Sequence, residues 1–490
     1  MGACHSSVDS SGAGSDIPAE VQAHCGGCHL VPDPELLDQT TWEDHVLPNM
    51  ALIMGLEGEE ALVGVVDSPV IKSLRTKGLF PSLPRIDQQT WKSIQAYFLT
   101  RAPEHLSEEK ELVVQIDSAW ELHSPPLRLS PPSTSILSLT RNGQIWVGDA
   151  HTKSLQVLGA NMKLQGVANV GGPPVDIQQI GGMAYVLVMG DFAPNDLESG
   201  YLMGLPLDGK TPPEKLITSL RRPVSMVVGD FNQDQIGDWV IAEYGKWLGR
   251  TRIWWGQKDG RYKPELLSDR QGPAKILKVD WDGDTDQDLL MLFGQGEEGI
   301  YWYENQGKGE FKERLLKSFP PSYGSVEIGL FDGENDGRPD LWYVAGDMAD
   351  YPPTFKPYHG AYFFHHKPDH QLNQESFIPM RGAYGMTWGD WDGDRIKDAA
   401  IISFFPSFDI EDPANFYLLY RTGPYDFEVK GVPFPLSMGR WLRIYSGDMD
   451  QDGDRDIALA SLAFGVAGDS LQWVNRWTRA GIPFVWLENK

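Results

Sequence analysis

The stretch Asp280-Trp-Asp-Gly-Asp-Thr-Asp-Gln-Asp288, followed at once by Leu-Leu-Met-Leu, decides the fold of this 490-residue chain. It places carboxylates at relative positions 1, 3, 5 and 9 of a tight loop, and such a loop offers oxygen ligands to a hard cation of flexible geometry. Related stretches occur four more times, at spacings of 50 to 58 residues. The predicted ligands in the five loops are Asp230, Asn232, Asp234 and Asp238; Asp280, Asp282, Asp284 and Asp288; Asp332, Glu334, Asp336 and Asp340; Asp390, Asp392, Asp394 and Asp398; and Asp448, Asp450, Asp452 and Asp456. Magnesium usually keeps more water, so we expect calcium, up to five ions, in a structural role.

An apolar strand, rather than a helix, follows each acidic loop, as in Trp239-Val-Ile-Ala. The loops also lack the glutamate at position 12 that completes an EF-hand. Strand, acidic loop and strand at this period resemble the FG-GAP or VCBS repeat of β-propellers. The resemblance implies a propeller whose inner strands are held by bound calcium.

A period near 50 residues with four short strands per unit is typical of a propeller blade. In the third unit the predicted strands are 224–228, 239–243, 252–255 and 262–267. Two earlier units, around Ile136 to Leu158 and Val175 to Leu216, keep the strands but lack the acidic loop. Five units and two units predict an all-β, seven-bladed propeller over residues 107–490.

The end of the chain predicts how the ring closes. Phe484-Val-Trp-Leu-Glu parallels the third strand of the fourth blade, Tyr301-Trp-Tyr-Glu, so the last blade lacks an outer strand. Leu112-Val-Val-Gln-Ile116 precedes the first blade, and we expect it to supply that strand and to remove an open sheet edge.

A second motif, Cys25-Gly-Gly-Cys28-His29, lies near the start of the chain. Two thiols at this spacing followed by a histidine match the attachment signature of c-type haem. Each thiol can add to one vinyl group of the porphyrin, and the adjoining imidazole can then ligate the iron. A zinc site would need a second pair of ligands, and a thioredoxin-like dithiol would need a strand-to-helix context; the sequence offers neither. The motif therefore predicts one covalently bound haem c.

The segment around this motif is predicted to be helical. Asp87 can cap a helix that runs to Arg101 and carries Trp91, Ile94 and Phe98 at helical spacing. A first helix that ends in the haem motif and a last helix rich in aromatic residues resemble the small class of cytochrome c domains. Residues 16–106 are therefore expected to form a small all-α cytochrome c domain.

The sixth iron ligand must come from another residue of this segment. Met50 is favoured because a thioether raises the iron potential and closes the site for electron transfer. Met54 and then His45 are the alternatives. Both methionines could instead pack against the edge of the haem.

The third cysteine, Cys4, precedes a Ser- and Gly-rich stretch that ends near residue 15. This arrangement resembles the mature start of a bacterial lipoprotein followed by a flexible tether. The resemblance implies lipidation of Cys4 and an extracytoplasmic, membrane-anchored protein, in the periplasm or at the cell surface. A stray terminal thiol is the alternative.

Composition and charge exclude several classes of function. With 42 basic and 68 acidic residues the formal net charge is -26, so nucleic acid is not an expected partner. No apolar run reaches membrane-spanning length. No Ser/His/Asp order, phosphate-binding loop or paired catalytic acid stands out, so no catalytic residue is predicted.

In a propeller, the connections after the second strand of every blade lie on one face. These connections are long and varied in sequence, and such loops on a rigid scaffold are where binding usually resides. They are predicted at 191–200, 244–250, 294–299, 347–360, 405–416 and 464–469. The nearby histidines, His359, His365, His366 and His370, could suggest another metal, but nothing requires that they converge.

These features together predict an extracytoplasmic electron-transfer protein, a monohaem cytochrome c fused to a calcium-stabilised propeller that docks a redox partner protein or membrane complex. The enzyme question stays open, with an electron carrier favoured over a catalyst. One alternative is a propeller that oxidises a sugar or alcohol and passes the electrons to the haem. Another is an adhesion or glycan-binding module.

Overall fold

The computed structural model describes residues 17–57, 62, 65–66, 70–107, 112, 114–140, 143–349, 354–432, 435–466 and 469–489. The chain divides into two compact units. The first holds the described residues of Met1–Val66, Ile71–Leu106 and Pro320–Ser322, and the second those of Asp67–Val70, Ser107–Phe319 and Tyr323–Lys490. Cys4 lies outside the described residues. Within them, no helix is long and apolar enough to cross a membrane.

The N-terminal unit is a few short helices. Their bounds are α1 Ala19–Cys25, a 3-10 turn Pro34–Leu36, α2 Gln39–Thr41, a π-helical turn Trp42–Val46, α3 Leu47–Ile53, α4 Ile71–Thr76 and α5 Gln88–Arg101. The helix predicted from Asp87 is confirmed: the Asp87 carboxylate accepts the backbone N–H groups of Gln89 and Thr90 and caps α5. Phe98 of α5 packs on Trp42, with 4.4 Å between the ring centroids, so the last helix and the π-helical turn share one small core.

The second unit is a seven-bladed β-propeller, as the repeats predict. Its strands are β1 Gln115–Ile116, β2 Glu121–His123, β3 Thr134–Leu139, β4 Ile145–Asp149, β5 Ser154–Leu158, β6 Leu164–Asn169, β7 Pro174–Ile180, β8 Met183–Val188, β9 Gly200–Pro206, β10 Glu214–Leu220, β11 Pro223–Gly229, β12 Asp238–Glu243, β13 Arg250–Gly256, β14 Tyr262–Ser268, β15 Pro273–Val279, β16 Asp288–Phe293, β17 Gly299–Asn305, β18 Phe311–Ser318, β19 Ser325–Phe331, β20 Asp340–Ala345, β21 Gly360–His366, β22 Leu372–Pro379, β23 Ala383–Gly389, β24 Asp398–Ser403, β25 Phe416–Arg421, β26 Phe427–Gly431, β27 Trp441–Gly447, β28 Asp456–Ser461 and β29 Phe484–Glu488.

Apart from β1, the strands of every blade pair antiparallel with their neighbours, and the inner strands follow one another around the ring. The inner strands of blades 1 to 7 are β3, β7, β11, β15, β19, β23 and β27. The second strand of each of blades 3 to 7 is buried along its whole length, which explains the continuous apolar runs after the acidic loops. A short 3-10 turn, Leu436–Met438, precedes β27, and a helix, α6 (Trp473–Ala480), lies between β28 and β29.

The ring closes differently from the prediction for residues 112–116. Gln115–Ile116 pairs in parallel with β26 and adds a fifth strand to blade 6. The outer strand of blade 7 is instead Glu121–His123, which pairs antiparallel with β29. The alternation of apolar residues predicts that a segment forms a strand, but it does not say which sheet edge the strand joins. Blades 6 and 7 each offer an open edge, and Glu121–His123 pairs at the edge of blade 7.

Candidate functional site

The five acidic loops all connect an inner strand to the second strand of a blade. They lie in blades 3 to 7, and the first ligand position directly follows the inner strand. The ninth position begins the second strand, so the register of two paired strands fixes both ends of every loop. We call the end of the propeller that carries them the acidic-loop face.

In three loops, carboxylate oxygens converge closely enough to hold one ion. Asp280, Asp282 and Asp288 each offer an oxygen within 4.8 Å of the others. The corresponding trios in blades 6 and 7 are Asp390, Asp392 and Asp398, and Asp448, Asp450 and Asp456. In the part of the chain that the structure describes, the loops at 230 and 332 show no such trio. In the first of these the third position is Asn232, whose amide donates to Asp234 over 3.3 Å.

The first and fifth positions also organise the loop backbone. In blade 3 the two oxygens of Asp230 accept the N–H groups of Asp234 and Gln235, at 2.9 and 2.8 Å. Asp234 in turn accepts the N–H of Ile236 at 2.9 Å. The same fifth-to-seventh bond is present in the other four loops. The fifth-position carboxylates are therefore partly used by the loop itself.

The ninth aspartate has a role that sequence spacing alone did not reveal. In blade 4, Asp288 accepts the N–H of Trp281 with one oxygen, at 3.1 Å, and the N–H of Asn305 with the other, at 2.7 Å. The equivalent residues Asp238, Asp340, Asp398 and Asp456 make the same pair of bonds. Each therefore joins the acidic loop to the end of the third strand. A signal was available, because this is the buried position that begins the second strand in every repeat.

Because the ninth carboxylates are buried, their ionised form is less favourable than it is in water. Desolvation raises the pKa of Asp238, Asp288, Asp398 and Asp456 to about 6, against the lowering effect of the backbone N–H groups that they accept. A divalent cation beside them would favour the ionised form, so the oxygen sets suit calcium.

The haem motif lies at the end of the first helix of the N-terminal unit. Helix α1 ends at Cys25, and the thiols of Cys25 and Cys28 are both free, the second of them exposed. Burial, with a smaller effect from Cys28, raises the pKa of the Cys25 thiol to about 11. Both sulfurs are therefore held as unbridged thiols, which is the form that thioether attachment consumes.

His29 has one ring nitrogen engaged. Its Nδ1 lies 2.7 Å from the backbone oxygen of Leu30, and a carbonyl can only accept, so Nδ1 carries the proton. Nε2 is left with its lone pair, and burial lowers the pKa of the imidazole, which favours the neutral form. This donor set fits an axial iron ligand.

The three candidates for the sixth ligand lie along one continuous helical run. His45 belongs to the π-helical turn, Met50 to α3, and Met54 is the C-cap of α3. All three are half-buried. Met50 and Met54 are four residues apart, and the N–H of Met54 donates to the Met50 oxygen at 2.9 Å, so both thioethers project from one side of the helix.

The connections after the second strands form the opposite face, which we call the varied-loop face. The predicted loops lie between second and third strands as expected, but the last one also contains α6, which the sequence analysis missed. Trp473 and Trp477 of α6 are buried, and their indole N–H groups donate to Phe408 and Leu436 oxygens, each at 2.7 Å. Of the four histidines named above, His366 and His370 lie at the acidic-loop end of blade 5, where 3.2 Å separate Nε2 of the first from Nδ1 of the second.

The fold and the acidic loops define a class, the seven-bladed β-propeller with an acidic-loop repeat between the inner and second strands of blades 3 to 7. Residues 280–343, from the acidic loop of blade 4 into the second strand of blade 5, match the family model described as an FG-GAP-like repeat. No curated protein matches the chain significantly.

Several solved structures are similar to the chain at low identity. A virginiamycin B lyase from Staphylococcus aureus is 13% identical with a TM-score of 0.48, over 75% of this chain and 98% of its own. A streptogramin B lyase is 14% identical with a TM-score of 0.47, over 76% and 97%. The hydrazine synthase of Kuenenia stuttgartiensis is 12% identical with a TM-score of 0.45, over 73% and 96%.

Proposed function

We propose that this protein is an extracytoplasmic electron carrier, with one c-type haem on its N-terminal unit and a calcium-stabilised propeller that docks a redox partner protein or membrane complex. The observation that carries the proposal is the pair of free thiols at the end of α1, followed by a histidine whose Nε2 keeps its lone pair. When bound, the haem would supply reversible one-electron chemistry.

Different residues of the N-terminal unit would attach the haem and ligate its iron. Cys25 and Cys28 would tether it, and His29 would ligate the iron through Nε2, oriented by the Leu30 carbonyl. Met50 is the favoured sixth ligand, with Met54 and then His45 as alternatives. A thioether there would raise the iron potential and keep small oxidants away from the metal.

The propeller contributes a rigid, strongly acidic body. Calcium in up to five loops would neutralise part of the net charge of -26, and the remaining field would steer a partner that presents a basic patch. The expected lipid anchor on Cys4 would hold the protein at a bacterial membrane, in the periplasm or at the cell surface.

The proposal is tested by expressing the full chain in a host that attaches c-type haem. A haem stain that survives a denaturing gel, one haem per chain, is expected for the wild type and should be lost in Cys25→Ser/Cys28→Ser. His24→Ala, which changes the half-buried histidine next to the motif, is the control that keeps the stain. Wild-type protein without covalent haem from such a host would refute the proposal.

The ligand assignment has its own readout. Ferric wild-type protein should show the near-infrared charge-transfer band of methionine-ligated haem, and Met50→Ala should lose it while Met54→Ala keeps it. The reverse pattern moves the ligand to Met54. If the band is absent from the wild type, His45→Ala should change the spectrum instead.

A further inference from the structure

One position recurs in all seven blades at the varied-loop face. It is the residue just before each inner strand, and its backbone oxygen accepts the N–H of the first residue after the second strand, over 2.8 to 3.1 Å. The seven residues, which we call the junction ring, are Ser133, Pro173, Arg222, Gly272, Gly324, Gly382 and Arg440. Because the hydrogen bond is conserved around the ring, the side chains at this position can be compared directly.

Blades 4, 5 and 6 use glycine here for a clear steric reason. Gly272, Gly324 and Gly382 have φ values of +63°, +68° and +62°, which side chains rarely adopt. A Cβ on any of them would come closer than 3 Å to the facing loop, at Gln295, Asp347 and Phe405 respectively. The facing residue is in each case the second one after the second strand.

Blade 3 reverses this arrangement. Its junction residue is Arg222, with φ +42°, and its facing residue is Gly245, with φ +63°. In blade 3 the glycine is therefore the facing loop residue, and its missing side chain leaves room for the Cβ of Arg222, whose backbone is in the left-handed region. A non-glycine residue at such a φ is strained, and strain of this kind persists where a side chain is needed.

The Arg222 guanidinium has few partners inside the protein. Its Nη1 makes a long bond of 3.4 Å to the Gly245 oxygen, and its buried Nε–H meets no acceptor among the described residues. By contrast, the guanidinium of Arg440, the other arginine of the junction ring, has several partners within the protein. Its Nε donates to Phe404 at 2.7 Å, its Nη1 to Phe464 and Gly465, and its guanidinium lies 3.6 Å from the Phe404 ring centroid.

Among the described residues, no carboxylate forms an ion pair with the Arg222 guanidinium. Tyr384, the second residue of the blade 6 inner strand, lies within the field of Arg222, Arg440 and Arg443, and of Asp347. Asp347 and Asp191 act on Arg222 itself. Arg443 also faces Glu327 and Asp176, and the Arg440 guanidinium is bound by carbonyl groups, so Arg222 is the arginine of this group with a buried N–H left to bind an anion.

We propose that Arg222 binds the carboxylate of a small organic acid at the varied-loop face. A planar carboxylate can accept two parallel N–H bonds from a guanidinium and satisfy the Nε–H that the fold leaves unpaired. Because that Nε–H is buried, a free small molecule suits the site better than an acidic side chain on the surface of a folded partner. The inference is independent of the haem.

The test is isothermal titration of full-length, calcium-loaded protein with acetate, succinate and benzoate, against chloride at matched ionic strength. These acids bind calcium weakly, so they leave the acidic loops filled. At least one should bind with one site per chain and a Kd of about 1 mM or tighter. Arg222→Gly should weaken that binding at least about tenfold, because a charge-assisted pair of bonds is lost.

The same variant separates a ligand site from a structural role. Arg222→Gly relieves the strained φ and should leave the melting temperature unchanged or raised, whereas loss of a structural arginine would lower it. Arg221→Lys is the matched control that keeps binding, because Arg221 is directed at Glu198, 2.7 Å away. No binding by any of the three acids, undiminished binding in Arg222→Gly, or a lowered melting temperature in that variant would overturn the proposal.

Discussion

The two faces of the propeller are built on opposite plans. The acidic-loop face repeats one device five times, with the same ligand positions and the same two backbone bonds at every ninth aspartate. The varied-loop face has connections of different length and sequence, one of which contains a helix. We infer that the features repeated in several blades stabilise the scaffold. Features found in a single blade are the candidates for a specific function.

Acidic side chains show the difference most clearly. On the acidic-loop face they gather in sets that a cation can satisfy. On the varied-loop face, two single acids bind backbone instead: the buried Asp196 accepts three N–H groups of the neighbouring loop, and the half-buried Asp469 accepts two at the start of α6. Stability should therefore depend on metal at one face and on individual residues at the other.

The largest effect is expected from removing calcium. A filled site contributes about 3 kcal/mol to the free energy of unfolding when free calcium exceeds its Kd a hundredfold, so several sites together dominate the stability. Chelation should lower the melting temperature steeply, and calcium should restore it better than magnesium does. Hydrogen exchange should speed up first in blades 3 to 7, while blades 1 and 2 keep their protection; equal loss in all seven would break the comparison.

A single ligand gives a sharper version of this test. Asp282→Asn should remove one bound calcium from the total measured by mass spectrometry and lower the free energy of unfolding by about 2 to 3 kcal/mol. Asp286→Asn, in the same loop but outside the ligand positions, should keep the full number. Equal calcium content in the two variants would contradict the assignment of Asp282.

The next effect concerns Glu298, which is 2% exposed in the blade 4 loop of the varied-loop face. Burial raises its pKa to about 8, against the Ser325 N–H bond of 2.7 Å. Between the ordinary pKa and this value the folded state binds more protons than the unfolded state, so stability falls as pH rises. Relative to Glu298→Gln, the wild type should lose up to roughly 4 kcal/mol between pH 5 and pH 9, measured by urea unfolding.

The control for this pH dependence is the adjacent Glu297→Gln, because Glu297 is half-exposed and pairs with Arg270. Its stability difference from the wild type should stay nearly constant over the same range. A wild type and Glu298→Gln that change in parallel with pH would show that Glu298 stays ionised, and so that the varied-loop face tolerates a buried charge.

The smallest effect is expected at Asp196. One of its oxygens accepts the N–H groups of Lys246, Trp247 and Leu248, at 2.9 to 3.0 Å. Asp196→Asn keeps an acceptor but loses the charge, so it should cost about 1 to 2 kcal/mol and speed hydrogen exchange in residues 244–249. Asp191→Asn, which changes a carboxylate that accepts the Ala193 N–H at 3.2 Å, should change little. If Asp196→Asn and Asp191→Asn lowered the free energy of unfolding equally, Asp196 would have no special role in this loop.

Much of the fold could be predicted because the acidic loops mark each inner and second strand. Their spacing predicted five of the seven blades, and the strand pattern of the two earlier units predicted the other two; in blade 3 the expected strands agree with β11 to β14 within a few residues. The same alignment placed the loops of the varied-loop face. For the N-terminal unit, the capping Asp87 and the apolar spacing were enough to predict α5.

The remaining features depend on contacts between distant residues. The pairing of Gln115–Ile116 with blade 6 depends on which open edge the segment reaches, and its own residues do not encode that choice. Helix α6 is short, and its buried tryptophans are held by loops from other parts of the sequence. The exchange of Arg222 and Gly245 could have been found by aligning the junctions, where Arg-Pro in blade 3 stands beside Gly-Pro in blade 4.

The strand Glu121–His123 has a consequence for the order of assembly. It completes blade 7 by pairing with β29, so the first and last parts of the propeller sequence meet in one sheet. A chain that emerges from the ribosome can form blades 1 to 5 and the four antiparallel strands of blade 6 from neighbouring strands, but the blade 7 sheet must wait for its final strand. Long-range pairing of this kind is slow, so ring closure should be the late, rate-limiting event in folding and the seam from which unfolding begins.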